Sequence, residues 1–174
     1  MPHDDDMLAN LIPHLQGWWG ALSAALCLAG LAIVVCGVAS LARGAACGRA
    51  RPWAAAAFAV GAGILLVNLP GFLDSLAQSV FGHASVQGLS YRPPEHPARH
   101  YVQFAVHLLA LVGLAGVGRG LLLLRDSPER PGQLGRALVH IAGGTLCVNF
   151  VPTLRILGRS LGQDVASVIA AITG

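Results

Sequence analysis

The chain alternates long apolar runs with short charged breaks. Four runs, 18–41, 53–69, 102–124 and 137–154, approach or exceed the roughly 20 mainly apolar residues that a membrane-spanning helix needs. Arg punctuates them: Arg43 follows the first, Arg49 and Arg51 precede the second, Arg125 closes the third, and Arg136 and Arg155 flank the fourth. Trp18, Trp19, Trp53 and Tyr101 stand at the proposed ends, where amphipathic rings favour the headgroup zone. The pattern predicts an all-α membrane protein with four transmembrane helices.

The segment before the first run, His3-Asp4-Asp5-Asp6, is acidic. A cleaved secretory signal opens on basic residues and carries a shorter apolar stretch, so the first run is expected to remain as a helix. Short Arg-rich loops stay in the cytoplasm. Arg43, Arg49 and Arg51 mark one such loop; Arg125 and Arg130, with Arg119 and Arg136 nearby, mark the other. This places both termini on the outer side, with Arg92 and Arg99 there in the long loop and Arg155 and Arg159 there against the rule.

The pattern also repeats along the chain. Leu28-Ala29-Gly30-Leu31-Ala32-Ile33-Val34 resembles Leu111-Val112-Gly113-Leu114-Ala115-Gly116-Val117, and Gly37 then matches Gly120. In the following runs, Gly63-Ile64-Leu65-Leu66-Val67-Asn68 matches Gly144-Thr145-Leu146-Cys147-Val148-Asn149. Two helical hairpins in tandem and in the same orientation follow, a parallel repeat about an axis along the membrane normal. Repeat 1 covers about 18–82, a loop about 83–101, repeat 2 about 102–162 and a tail about 163–174, all within one membrane domain. Each Asn precedes a proline, Pro70 or Pro152, which predicts a kink. Amphipathic segments, 72–81 and 154–161, come next and are expected to lie along the outer interface.

Composition agrees with the runs. Of 174 residues 55% are hydrophobic and 11% charged, and the mean hydropathy is +0.65. A soluble domain carries about 25% charge. All 11 basic residues are Arg, but with 8 acidic residues the net charge is only +3, too weak to predict direct nucleic-acid recognition.

Candidate chemistry is sparse. Cys27, Cys36, Cys47 and Cys147 have neither disulfide nor metal spacing. His96 and His100 are four apart, but Pro93, Pro94 and Pro97 oppose a helix there, so no metal site is expected. His107 and His140 are each near the start of runs that cross in opposite directions, so they fall near opposite membrane faces and could not share a haem; no cofactor is expected. No catalytic motif and no intramembrane carboxylate is present, which predicts neither an enzyme nor a proton-coupled pump. What remains points to packing. Gly30, Gly37, Gly113, Gly116 and Gly120 recur at helical spacing, as small residues do where helix backbones meet in a bilayer, within a monomer or between subunits. Asn68 and Asn149 are amides that must find partners, in neighbouring carbonyls or across helices. Asp74 occupies the place in repeat 1 that Arg155 occupies in repeat 2, an exchange that suits a salt bridge between repeats or subunits.

The blocks 63–70 and 144–152, in a small four-span chain, resemble the IcmC/DotE group of the Dot/Icm type IVB secretion system and its TraQ relatives of IncI-type conjugation systems. The resemblance implies a non-enzymatic, multi-pass protein of the bacterial inner membrane with periplasmic termini. It would assemble with itself and with other secretion or conjugation subunits, as a channel component or pilus subunit. A stand-alone channel or transporter is the competing expectation.

Overall fold

The helices of this chain come in two lengths. The computed structural model describes residues 2–46, 53–82, 99–128, 130, 132–161 and 167. They form α1 (Pro2–Ala46), α2 (Trp53–Val67), α3 (Leu69–Phe81), α4 (Arg99–Asp126), α5 (Gln133–Val148) and α6 (Phe150–Leu161). Among the described residues there is no strand. Two helices are long and apolar enough to cross a membrane, over Asn10–Ala42 and His100–Asp126. Two bent pairs, α2 with α3 and α5 with α6, bring the number to four if each pair is one span.

The sequence placed the second and fourth spans at 53–69 and 137–154. Both runs cross a corner instead. The chain bends by 89° between α2 and α3 and by 92° between α5 and α6, so Phe150 to Leu154 belong to a separate helix. These are corners rather than proline kinks. Pro70 and Pro152 lie in the first turns of α3 and α6, where a missing N–H breaks no intrahelical hydrogen bond. The first helix also begins well before Trp18, running through Pro13 from Pro2. Its acidic start is polar but carries no helix breaker at Asp4, Asp5 or Asp6, and acidic groups are favoured at a helix N-terminus.

α1 packs on α2, and α4 packs on α5. In each pair the contacts run antiparallel: Gly30 meets Gly63 and Gly37 meets Val60, while Gly113 meets Gly144 and Gly120 meets Ile141. α4 joins the two hairpins, because it also packs on both α1 and α2. Its side chains Leu114, Val117 and Leu121 form one buried core with Ile33 of α1, Leu66 of α2, and Leu69 and Leu73 of α3. Half of the most apolar stretch of α4 is buried (50%), against 17% for α1, so α4 is the central helix and α1 the peripheral one. The short helices α3 and α6 lie across the ends of the bundle. α3 packs on α1, α2 and α5, whereas α6 packs on α4 and α5.

Candidate functional site

Within each hairpin a pair of glycines lets the helix backbones meet. A Cβ on Gly30 would stand 2.8 Å from the Gly63 carbonyl oxygen, and one on Gly63 would stand 2.8 Å from the Gly30 oxygen. In the second hairpin the same reciprocal pair, Gly113 and Gly144, is closer still, at 2.6 Å each way. Two turns along, a Cβ on Gly37 would meet Val60 Cγ2 at 2.9 Å, and one on Gly120 would meet Ile141 Cγ1 at 2.7 Å. Four of the glycines singled out in the sequence therefore bring helix backbones together inside the hairpins. Gly116 does not. A Cβ there would lie 3.5 Å from the Gly144 Cα, an ordinary contact. It borders a groove of about 230 Å³ on the outer face of α4 and α5, lined also by Val112, Val139, His140, Gly143 and Cys147.

The two corners are built alike. Asn68 has φ −102° and ψ 39°; Asn149 has φ −104° and ψ 46°. The Asn68 N–H donates to the Ile64 carbonyl, and the Asn68 carbonyl accepts from Phe72 N–H. At the second corner Asn149 N–H donates to Thr145 and the Asn149 carbonyl accepts from Thr153 N–H. Their side chains part company. Asn68 is exposed, with its amide folded over Gly71. Asn149 is buried, and its Nδ2 donates to the Thr145 carbonyl at 3.2 Å. Thr153 Oγ1 donates to the Asn149 carbonyl at 2.8 Å and also lies 3.2 Å from the Leu146 carbonyl, across the corner. The buried-amide expectation thus describes Asn149 but not Asn68.

His107 is fully buried on α4. Its Nδ1 lies 2.7 Å from the Gln103 carbonyl oxygen, so that nitrogen carries the proton and Nε2 is left as an acceptor. Nε2 of His107 and Oδ1 of Asn149 are buried acceptors without a hydrogen-bond partner among the described residues. Asp74 is half-buried on α3 and Arg155 is exposed on α6. Cys27, Cys36 and Cys147 are free thiols. No group of three metal-ligating side chains occurs among the described residues. Cys47, Arg49, Arg51, His83, Arg92, His96, most of the 83–101 loop and the 163–174 tail, apart from Ser167, lie outside the described residues.

Sequence reasoning passed over three participants: Thr145, Thr153 and the Gly143 edge of the groove. The two threonines flank Asn149 at i−4 and i+4, a spacing at which hydroxyls reach neighbouring carbonyls, and that signal was available. No protein-family model matches the chain, no curated protein matches it, and no solved structure matches it.

Proposed function

We propose that this chain is a non-enzymatic, four-span inner-membrane component of a type IVB secretion or conjugative transfer apparatus, and that it acts by helix packing within a larger assembly. The observation that carries the assembly half of this reading is a duplicated hairpin with unequal cover. The pairs Gly30–Gly63 and Gly113–Gly144, the pairs Gly37–Val60 and Gly120–Ile141, and the corners at Asn68 and Asn149 are equivalent contacts at equivalent sequence positions. They support a tandem parallel repeat. Each copy then crosses inward on a long helix, returns on a short one, and turns along the outer surface. The short helices α2 and α5 hold 15 and 16 residues. At 1.5 Å per residue they reach roughly 22–24 Å, less than the hydrocarbon thickness of about 30 Å. The corners therefore seat α3 and α6 at the lower edge of the outer interface, where amphipathic helices settle. The secretion or conjugation half rests on the resemblance of the 63–70 and 144–152 blocks to the IcmC/DotE and TraQ proteins.

The test is deletion of the gene in its host, with complementation in trans. Loss of DNA or protein transfer to a recipient cell, restored by the wild-type chain, is the expected result. Unchanged transfer, together with ion flux through vesicles holding only the purified chain, would replace the reading with that of a stand-alone channel.

A further inference from the structure

The two hairpins make a one-sided contact. Among the described residues α4 packs on α2, but α1 makes no comparable packing on α5; α3 packs on α5, but α6 makes no comparable packing on α2. A closed two-fold pair would show both contacts of each set. An interface that is not returned is heterologous, and it continues until it closes into a ring or extends as a filament.

The surfaces left over are counterparts of the surfaces used. Where α4 meets the first hairpin, Leu114, Gly118 and Leu121 are buried; their counterparts on α1, Leu31, Val35 and Val38, are exposed at 54%, 60% and 52%. On the receiving side, Ile33, Ala62 and Leu66 are buried beneath α4. Their counterparts, Gly116, Gly143 and Cys147, border the open groove on α4 and α5. Size is complementary as well. Each groove residue is smaller than its counterpart; along the stripe Val35 is larger than Gly118, Leu31 equals Leu114 and Val38 is one methylene smaller than Leu121, so a stripe filled at its centre faces a roomier groove.

We infer that a second copy of this chain fills the groove, with Leu31, Val35 and Val38 of its α1 seated against Gly116, Gly143 and Cys147. The contact repeats between chains what α4 makes within one chain, and it propagates head to tail. In lipid there is no hydrophobic drive between helices, and close packing over small residues is what holds them. The groove supplies those residues, and nothing lies within 4 Å of a Cβ placed on Gly143. This inference rests on the duplicated-hairpin reading above.

The test uses the full chain in native membranes, with Cys27, Cys36 and Cys47 replaced by Ser and Cys147 kept. One chain carries Leu31→Cys with Cys147→Ser; a differently tagged chain keeps Cys147 alone. Oxidation is expected to join the two tags through 31–147 disulfides, while Ala32→Cys in place of Leu31→Cys gives none. A single chain carrying both thiols is expected to give a ladder rather than dimers only. Gly143→Leu, at a position where a Cβ meets nothing within 4 Å inside the monomer, is expected to abolish the ladder and shift the extracted protein to monomer size with its helical content by circular dichroism unchanged. An oligomer that shows no preference for 31–147 links overturns this inference and leaves the assembly reading standing. A strictly monomeric wild-type chain in mild detergent, with no cross-link, overturns both.

Discussion

The first hairpin is covered and the second is open. α2 is enclosed by α1, α3 and α4, and Ala62 and Leu66 on it are completely or almost completely buried. α5 has α4 on one side and only the ends of α3 and α6 elsewhere; Leu138 and Val139 on it are 55% and 70% exposed. The corners differ in the opposite sense. Val106 of α4 packs on Val151 at the second corner, and Asn149 beside it is buried. The counterpart of Val106 on α1 is Ser23, a smaller and polar side chain, and Asn68 is exposed. Backbone contacts that require glycine are the same in both copies. What differs is the side chains that decide which surfaces find cover inside the chain. Two hairpins with matching internal contacts can thus differ in which surfaces stay open.

The largest effects are expected where the copies are alike. Gly63→Ala and Gly144→Ala each force a methyl to within 3 Å of a facing backbone atom or valine methyl. Each should cost about 1–3 kcal/mol, the usual range for overpacking, read as a lower Tm in thermal melts of the detergent-extracted protein. Gly143→Ala, one residue away on the open face, should stay within about 0.5 kcal/mol of wild type. Equal losses at Gly143 and Gly144 would mean that the second hairpin is not packed as described.

Smaller effects should separate the corners. Asn149→Ala removes a buried hydrogen bond to the Thr145 carbonyl and should cost about 1 kcal/mol by the same melt; Asn68→Ala, at an exposed amide, should cost less. A larger loss at Asn68 would reverse the comparison. His107→Leu exchanges a buried ring with one unpartnered nitrogen for an apolar side chain of similar size. It should leave the Tm unchanged or raise it, because an unsatisfied buried acceptor carries a desolvation cost of about 1–3 kcal/mol. A clear drop would show that Nε2 is partnered in the membrane.

Much of the helical layout was legible in the sequence, because apolar run length and Arg punctuation report directly on what a bilayer accepts. The break at each Asn was legible too, through the prolines at Pro70 and Pro152. Its size was not. A proline marks where a helix stops, but it does not say how far the next helix turns; the right angle shows only in the packing of α3 on α1 and α5 and of α6 on α4 and α5. The roles of the glycines were half legible. Periodicity selects Gly30, Gly37, Gly113, Gly116 and Gly120 as interface residues, but only the packing shows that a Cβ is excluded at four of them by the facing helix of their own hairpin, while at Gly116, beside the groove, it would make an ordinary contact. The difference in burial between Asn68 and Asn149 was hidden, since the two share the same local pattern and burial is decided by packing between distant helices.

The central claim is that both hairpins cross the membrane in the same sense. Single cysteines at Ala46, Ser79, Ser127 and Ser160, in a chain otherwise free of cysteine, test it by labelling with a membrane-impermeant maleimide in spheroplasts. The account predicts labelling of Ser79→Cys and Ser160→Cys from the outer side, with Ala46→Cys and Ser127→Cys protected until the membrane is opened. Labelling of Ser79→Cys on the same side as Ala46→Cys, or of Ser160→Cys on the same side as Ser127→Cys, would make that short helix re-entrant and would contradict the duplicated four-span fold.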